Sequence, residues 1–262
     1  MAEIKRKGAR RRADVPRHIL QKLNRGDIEA ITLAEVLSVD LSQLLKNAFP
    51  DISRHRHLQM KKAQDENMGW LGRTALAGEI LYGEFGTQAL KTAIRHPSDQ
   101  VRGWGAALVR HAQNLSFEKR LKMIEPLADD ANPGVREVAW IMMRPALMED
   151  VNTAIKVLMP WTHNDSPNIR RFASEITRPR GVWCAHIPEL RKNPQPALKI
   201  LRTLKADPSR YVQNSVGNWL NDASKDNPKW VTDLCKEWSR GIAPKETLYI
   251  CRRALRTLHK KK

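Results

Sequence analysis

The stretch Asp165-Ser-Pro-Asn-Ile-Arg-Arg-Phe-Ala-Ser-Glu-Ile-Thr-Arg-Pro-Arg-Gly-Val-Trp183 has the pattern of a capped helix that ends abruptly. Asp165 or Ser166 can cap the helix ahead of a proline in its first turn. An apolar stripe follows at helical spacing, made of Ile169, Phe172, Ala173 and Ile176. The proline after Arg178 must end the helix, because proline disfavours helical backbone at the residue before it.

The turn that opens this helix occurs four times along the chain. The copies are His96-Pro-Ser-Asp-Gln-Val-Arg102, Asp130-Ala-Asn-Pro-Gly-Val-Arg136, Asp165-Ser-Pro-Asn-Ile-Arg170 and Asp207-Pro-Ser-Arg-Tyr-Val-Gln213. Their apolar anchors, Val101, Val135, Ile169 and Val212, are 34, 34 and 43 residues apart, and a weaker fifth copy has Ile250 38 residues further on. Such periods, with two helices per unit, are typical of an α-solenoid of HEAT or armadillo type. No window alternates with period two, so the sequence predicts an all-α superhelix without sheet.

The chain of 262 residues is strongly basic, with 46 lysines and arginines against 28 acidic residues and a net charge of +18. This imbalance indicates a polyanionic partner, and nucleic acid is the first candidate. RNA and lipid surfaces share the signature, so charge alone leaves DNA, RNA and lipid open. Residues 1–13 are predicted to be a basic flexible arm, either phosphate-contacting or merely solubilising. Residues 14–262 are predicted to form a single repeat domain, in which the segment from Leu33 to Phe49 is one amphipathic helix.

Several classes of protein are excluded by composition. No apolar run reaches the length of a membrane span, and no signal peptide follows the basic N-terminus. The three cysteines lack metal-ligand spacing, and His55 and His57 have no acidic or cysteine neighbour that would favour a metal over a solvated basic face. We therefore predict an intracellular, reduced protein without a metal.

Arginine recurs at one equivalent repeat position, as Arg102, Arg136 and Arg170, and Gln213 interrupts the series. These arginines either form a DNA-binding ladder or pair structurally with an aspartate of a neighbouring repeat. Further cations outside the repeat pattern are stronger indicators of a groove that follows phosphates. They are Arg144, Arg171, Arg178, Arg180, Lys225, Arg252 and Arg253.

Glu175 is the candidate for chemistry. Sister repeats carry apolar residues such as Ile141 at this position, and functional residues tend to break such local rules. A carboxylate in a cationic groove would stabilise a developing positive charge. The alternative is an ion pair with Arg171 or Arg178, which are one helical turn away on either side.

A tryptophan and a polar helix face complete the candidate site. Trp183 lies just past the helix break and could stack against a base, although most tryptophans fill solenoid cores. One helix face carries Asn218, Asn221, Asp222 and Lys225 at i, i+3, i+4 and i+7. Such short amides and a lysine suit phosphate and sugar contacts, or alternatively a hydrogen-bond network between helices.

Two segments resemble a known family. Ser174-Glu-Ile-Thr-Arg-Pro-Arg-Gly-Val-Trp183 and Ser215-Val-Gly-Asn-Trp-Leu-Asn-Asp-Ala-Ser-Lys225 are similar to signature segments of the bacterial AlkC/AlkD-type DNA alkylation repair proteins. The AlkC branch is the more similar, and its N-terminal segment also resembles residues 16–50.

The resemblance implies a HEAT-like solenoid that binds double-stranded DNA in a basic concave groove. It also implies a monofunctional glycosylase that removes cationic N-methylated bases of the 3-methyladenine type without a metal, nucleotide or other cofactor. As a relative of these bacterial proteins, the chain is expected to be a cytoplasmic monomer associated with the nucleoid. The resemblance also implies that lesions are recognised without conventional flipping into a deep pocket. By motif, Glu175 would stabilise the oxocarbenium character of the sugar and help position water, and Trp183 would touch the deoxyribose. The residues implied to hold the lesion strand are Asn218, Asn221, Asp222 and Lys225.

The chain departs from the family pattern in two places. The family segment Glu-Phe-Ala-[Val/Ile]-Arg-Pro corresponds to Trp140-Ile-Met-Met-Arg144-Pro145, so that Trp140 stands where the family has glutamate. Trp140 and Arg144 are then expected at the DNA, and Glu137, one turn back, is a candidate replacement for the missing acid. The sequence ends at Lys262, and we expect it to lack the small β-domain of longer AlkC members.

Three functions follow in order of preference. The first is a DNA glycosylase for alkylated bases, and the second is a weak or inactive relative that binds damaged or branched DNA. The third, a HEAT scaffold for protein partners, leaves the charge of +18 unexplained.

Overall fold

The computed structural model describes residues 6–259, and within this range it contains helices and turns but no strand. The prediction of an all-α fold is therefore confirmed. The α-helices are α1 Arg17–Arg25, α2 Leu33–Val36, α3 Leu41–Ala48, α4 Arg54–Asp65, α5 Trp70–Phe85, α6 Ala89–Arg95, α7 Asp99–His111, α8 Phe117–Ala128, α9 Pro133–Glu149, α10 Val151–Leu158, α11 Pro167–Ile176, α12 Pro188–Lys192, α13 Leu198–Leu204, α14 Arg210–Ala223, α15 Pro228–Trp238 and α16 Lys245–His259. Short 3-10 helices occur at Arg12–Asp14, Gly86–Gln88, Met159–His163 and Gln195–Ala197.

The helices group into two compact units. The first unit contains the chain up to Leu115 together with Asn132–Met142. The second contains Ser116–Ala131 and the chain from Met143 onward. A single repeat domain over residues 14–262 stays a prediction.

In the first unit, α5 packs closely against α7, which buries Trp104 completely. Gly78 makes this approach possible. A Cβ atom on Gly78 would lie 2.3 Å from the carbonyl carbon and 2.5 Å from the Cβ of Ala107. Backbone cannot move away as a flexible side chain can, so the two helices would have to separate.

Replacing Gly78 with alanine is expected to lower the free energy of unfolding by about 3 kcal/mol, at the upper end of the usual cost of overpacking a core. Urea unfolding followed by circular dichroism would measure the change. Gly72→Ala in the same helix is the matched control, since its new Cβ would meet only the flexible end of Met68. Alanine is the better helix former, so this control should be neutral or mildly stabilising. Equal losses in both variants would contradict the close approach of α5 and α7.

In the second unit, α11, α14 and α16 pack in succession, and α15 lies against α16. Trp219 on α14 is fully buried, and its Nε1 donates to the carbonyl of Thr177 at 2.9 Å. The five apolar anchors of the repeats are all buried in their units: Val101, Val135, Ile169, Val212 and Ile250. The repeat pattern in the sequence thus identified the core face of each first helix.

The repeated arginine has a structural role that the sequence left open. Arg102 donates to the carbonyl of His96 at 2.9 Å, and Arg170 donates to the carbonyl of Asn164 at 2.8 Å. Gln213, which interrupts the arginine series, makes the same bond to the carbonyl six residues before it, at 2.8 Å. The side chain at this position therefore closes the turn that precedes each of these helices, whether or not it is charged.

One helix prediction was wrong in detail. The segment from Leu33 to Phe49 was predicted as a single helix but forms α2 and α3, which are separated by a short break. The carboxylate of Asp40 accepts from the backbone N–H of Gln43 at 2.9 Å and so caps a new helix start. An N-cap residue has extended backbone, which interrupts the preceding helix.

The described part of the predicted N-terminal arm contacts α2. Arg6 forms an ion pair with the buried Glu35 at 2.6 Å, and the carbonyl of Ala9 accepts from the Thr32 hydroxyl at 2.6 Å. Residues 1–5 of the arm, with Lys5 of its basic cluster, lie outside the described residues. A flexible arm that binds phosphate stays a prediction, and for residues 6–9 it requires these contacts to break.

Candidate carboxylate site and nucleic-acid interface

Glu175 lies on the last turn of α11, between two arginines. Its Oε2 is 3.0 Å from Nη1 of Arg178, and its Oε1 is 3.3 Å from Nη2 of Arg171. Arg178 also binds Asp222 of α14, with Nη2 2.6 Å and Nε 3.0 Å from Oδ2. Lys225 donates to the other oxygen of Asp222 at 3.1 Å. Two carboxylates from neighbouring repeats therefore share one guanidinium group.

The two carboxylates of the cluster are almost fully shielded from water. The Glu175 side chain is 2% exposed and that of Asp222 is 8% exposed. Burial alone would lower the pKa of Arg178, but the carboxylates of Glu175 and Asp222 outweigh it, and the pKa is raised well above its usual value. Arg178 therefore stays charged at every accessible pH.

Arg144 fixes the backbone where α11 ends. It is 1% exposed, and its Nε donates to the carbonyl of Ala185 at 2.8 Å. Its two terminal nitrogens donate to the carbonyls of Ile176, at 3.1 Å, and Arg178. Burial lowers the pKa of Arg144. All three guanidinium nitrogens therefore donate to backbone carbonyls within the fold. A direct contact between Arg144 and DNA stays a prediction.

Two large apolar side chains project from the loop that follows α11. Val182 is 72% and Trp183 is 68% exposed. The loop turns tightly at Gly181 and brings Cys184 close to it. A Cβ atom on Gly181 would lie only 2.3 Å from Sγ of Cys184. The backbone N–H of Ile187 donates to the carbonyl of Pro179 at 3.0 Å and closes the loop. Trp183 is thus free to stack against a ligand, unlike the buried tryptophans Trp104 and Trp219.

An ionic triad anchors both ends of this loop. Asp226 receives two bonds from Arg180, at 2.6 and 3.0 Å, and two from Arg191, at 2.9 and 3.1 Å. Bidentate pairs of this kind are the strong form of an arginine–carboxylate contact. The bonds from Arg191 and Arg180 lower the pKa of Asp226 well below its usual range.

The triad predicts a pH dependence for Asp226→Asn. A carboxyl whose pKa is lowered by folding contributes stability above its ordinary pKa, about 4, and loses it as the pH falls toward the lowered value. At pH 7 the free energy of unfolding of wild type is expected to exceed that of Asp226→Asn by about 1 kcal/mol, as for exposed ion pairs of good geometry. Urea unfolding between pH 7 and pH 3 should show a constant difference down to about pH 5 and a shrinking difference below. A difference that grows on acidification would contradict this assignment.

The polar face of α14 separates into different roles. Asn221 is 3% exposed and donates to the carbonyl of Ala254 at 3.0 Å and to the Thr257 hydroxyl at 2.9 Å. It therefore forms the network between helices that was the alternative to DNA binding. Asp222 pairs with Arg178. Of the four residues on this face, Asn218 is half-buried and Lys225 is exposed.

Arginines stack on tyrosines along the second unit. Arg171 lies over the ring of Tyr211 at 4.3 Å, and Arg210 lies over the ring of Tyr249 at 3.6 Å. Arg252, which is exposed, is 5.5 Å from the centre of the Tyr249 ring. Such stacking orients guanidinium groups while leaving their charge in place. Arg171, Arg210 and Arg252 therefore offer positive charge at three successive helices.

Arg170 and Trp140 are held by local contacts. Arg170 forms a bidentate pair with Asp207 of the following repeat, at 2.6 and 3.1 Å. In the first unit, Trp140 is 3% exposed and its Nε1 donates to Glu137 at 3.0 Å. Contact of either residue with DNA stays a prediction. Trp140 stands at the position where the family motif has glutamate, and Glu137 is the candidate replacement for that acid. The two side chains are hydrogen-bonded to each other.

Sequence reasoning missed the triad and one arginine. Asp226 was not singled out, although it stands four residues after Asp222 and next to Asn227, whose amide donates to the Arg191 carbonyl at 2.6 Å. Arg256 was also missed. Its spacing of three from Arg253 on a helix was a usable signal, because residues three apart share a face.

Metal-binding clusters and membrane-spanning helices are both absent from the described residues. Among residues 6–259, no group of three histidines, cysteines or acidic residues is placed to hold a metal ion. No helix in the same part of the chain is both long and apolar enough to cross a membrane.

A family model described as DNA alkylation repair enzyme matches residues 88–244. The chain belongs to this DNA alkylation repair family. The matched range includes Glu175, Trp183 and Asp222, whereas α16 with Arg252 and Arg253 lies beyond it.

Individual relatives agree with this assignment. The uncharacterized protein YhaZ of Bacillus subtilis (strain 168) is 29% identical over 242 residues, which are 90% of this chain and 65% of YhaZ. The Pseudomonas fluorescens alkylpurine DNA glycosylase AlkC, solved with DNA containing an abasic site analogue, superposes with a TM-score of 0.70 at 26% identity. The match covers 92% of this chain and 65% of that AlkC chain. This member of the DNA alkylation repair family thus spans just under two thirds of either relative.

AlkD2 from Streptococcus mutans shares the fold at a greater distance. Its TM-score is 0.56 at 22% identity, and the match covers 82% of this chain and 98% of AlkD2. The helical repeat fold predicted from the sequence is therefore the fold of the DNA alkylation repair family.

Proposed function

We propose that this protein binds duplex DNA and hydrolyses the N-glycosidic bond of cationic N-alkylated bases. The observation that carries the proposal is Glu175, a buried carboxylate on the last turn of α11, which leads into an exposed tryptophan loop in a strongly basic chain. Its motif is the one that resembles the AlkC branch, and AlkC is described as an alkylpurine DNA glycosylase. A bacterial cytoplasmic site of action, at the nucleoid, is part of the same proposal.

Cleavage of the N-glycosidic bond of a cationic base requires mainly a fixed negative charge near the sugar. When the C1′–N bond of an alkylated base breaks, the bonding electron pair neutralises the cationic base, so no acid has to protonate the leaving group. Positive charge develops on the deoxyribose instead, and a preorganised carboxylate stabilises it. Water then adds to C1′ and gives up a proton to the carboxylate or to solvent.

Glu175 retains the capacity to act in this way. Each of its two oxygens receives one arginine, whereas a carboxylate has about four lone-pair sites. Arg171 and Arg178 hold its orientation, and unused lone pairs remain for a water or the sugar. Because the side chain is 2% exposed, DNA binding has to open the cluster before either can reach it. Trp183 would pack its exposed ring against the deoxyribose.

The more accessible basic side chains would follow the DNA backbone. We propose Arg252 and Arg253, which have no carboxylate partner among the described residues, as the strongest phosphate contacts. Lys225 is a further candidate, because its side chain is exposed even though it donates to Asp222. Arg144, Arg170 and Arg180 are engaged within the fold. Asn218 contributes to the same surface.

The decisive experiment is base release under single-turnover conditions. A duplex with one N-methylated purine is incubated with excess protein, and the released base is separated by chromatography, for wild type and Glu175→Gln. Release by wild type alone supports the proposal, and the absence of release at high protein excess would sink it.

A second function is supported by one observation. Trp140 occupies the family's glutamate position, is buried and donates to Glu137. A protein that binds damaged or branched DNA without excision would show salt-dependent binding to such duplexes and no base release.

A further inference from the structure

Two arginines of α16 converge on one neutral side chain. Nε of Arg253 donates to Oδ1 of Asn218 at 3.0 Å, and Nη2 of Arg256 donates to the same oxygen at 3.1 Å. Nη1 of Arg256 also donates to the carbonyl of Arg253 at 2.6 Å. The two donor nitrogens are therefore at most about 6 Å apart, because both contact a single atom.

Neither guanidinium group pairs with a carboxylate anywhere in the described chain. This separates them from Arg170, Arg178 and Arg180, each of which has an aspartate partner. Arg253 and Arg256 are both half-buried, and burial together with Arg253 lowers the pKa of Arg256 despite the opposing effect of Asp222. Two like charges held close together without a carboxylate in direct contact repel each other, and an anion placed between them would remove that repulsion.

The cluster is preorganised by a glycine. A Cβ atom on Gly217 would lie 2.9 Å from both Cβ and Cδ of Arg253, so the aliphatic stem of this arginine lies directly on the backbone of α14. Glycine inside a helix costs about 1 kcal/mol relative to alanine. Gly217 thus permits a close approach that fixes the direction of the Arg253 guanidinium group.

We propose that Arg253, Arg256 and Asn218 form a clamp for one backbone phosphate of duplex DNA. The proposal rests on the proposed DNA binding and adds to it a defined site with a residue outside the family-matched range, Arg256. Guanidinium groups bind phosphate oxygens through forked, charge-assisted hydrogen bonds, and two forks can share one phosphate. Asn218, which belongs to the same α14 as Asp222, keeps both forks aimed at one point.

The test is the salt dependence of duplex binding. Each phosphate neutralised by the protein contributes about 0.9 to the slope of log K against log salt concentration. We expect Arg253→Gln/Arg256→Gln to lower the slope by about 0.9, not by about 1.8, since both side chains hold one phosphate. Arg202→Gln is the matched control, because Arg202 is exposed on α13 and paired with Glu237. Its slope should equal that of wild type.

A charge-conserving variant separates the effect of positive charge from the effect of the forked guanidinium geometry. Arg253→Lys/Arg256→Lys keeps both charges but loses the forks, so the slope should persist while affinity falls several-fold. Thermal unfolding monitors folding of each variant. An unchanged slope in the glutamine variant, or a loss near 1.8, overturns the clamp while DNA binding stands. A wild type whose binding does not respond to salt overturns the clamp and the proposed function together.

Discussion

Replacing Glu175 with glutamine is expected to lower the single-turnover rate of base release by about 100-fold or more. The reason is electrostatic, since glutamine keeps the shape of the side chain but removes the charge that would stabilise the sugar cation. Removal of a single preorganised stabilising group in other enzymes costs rate factors of about 100 to 1,000. Binding to undamaged duplex should change little, because Glu175 is almost fully buried. Rate and affinity measured on the same preparation separate the two effects.

Glu35→Gln is the matched control for this experiment. Glu35 is as buried as Glu175 and also pairs with an arginine, Arg6, but it belongs to the first unit and to no candidate site. Glu35→Gln loses one buried ion pair and Glu175→Gln loses two, and both variants are expected to lose about 1–3 kcal/mol of stability. Only Glu175→Gln should lose base release. Equal rates in both variants would show that Glu175 is a structural residue.

Replacing Arg178 with methionine is expected to lower the free energy of unfolding by about 3–5 kcal/mol. Methionine preserves the apolar stem, so the change removes mainly the charge shared by Glu175 and Asp222. Breaking a buried pair on one side leaves an uncompensated charge, and that is the costly way to lose a salt bridge. Here two carboxylates lose the same partner, although Arg171 and Lys225 remain. Denaturant unfolding monitored by circular dichroism measures the loss.

Arg180→Met, two residues further along, is the control. Arg180 also binds an aspartate, but the pair is more exposed and Asp226 keeps Arg191 as a second partner. Its loss should cost at most about 1 kcal/mol. Adding Asp222→Asn to Arg178→Met should recover part of the stability, because it removes one of the unpaired charges. A loss for Arg178→Met no larger than that of the control would contradict a shared buried guanidinium group.

Local pattern was enough to predict most of the fold. Ser166 caps α11 and accepts from the N–H of Asn168 at 3.2 Å, as the sequence indicated. The anchors of the repeats are buried, because each is the apolar residue that faces the core one turn into its helix. The prediction of one helix from Leu33 to Phe49 failed at Asp40, which caps α3. In the sequence this aspartate resembles any other polar residue until its hydrogen-bond partner is known.

For the candidate site, the sequence identified residue types but not their partners. Asn218 and Asn221 looked equivalent, yet Asn221 binds the backbone of α16 and Asn218 receives two arginines. Similarly, Arg178 and Arg180 looked like two groove cations, yet each serves an aspartate more than forty residues away. A pairing over such a distance depends on how neighbouring repeats are aligned, and the helical period of one segment does not contain that information.

The sequence by itself therefore determined the helical repeats, the buried stripe of each first helix, the excess of positive charge and the motif around Glu175. These features depend on spacing within one segment, where backbone geometry is nearly fixed. Only the tertiary structure decided which cations remain available to an anion. Carboxylates from the next repeat neutralise Arg170, Arg178 and Arg180, whereas Arg253 and Arg256 bind only neutral groups, the Asn218 amide and a backbone carbonyl. The reason is physical: whether a charge is free depends on the nearest opposite charge in space, which the fold sets and the sequence order does not.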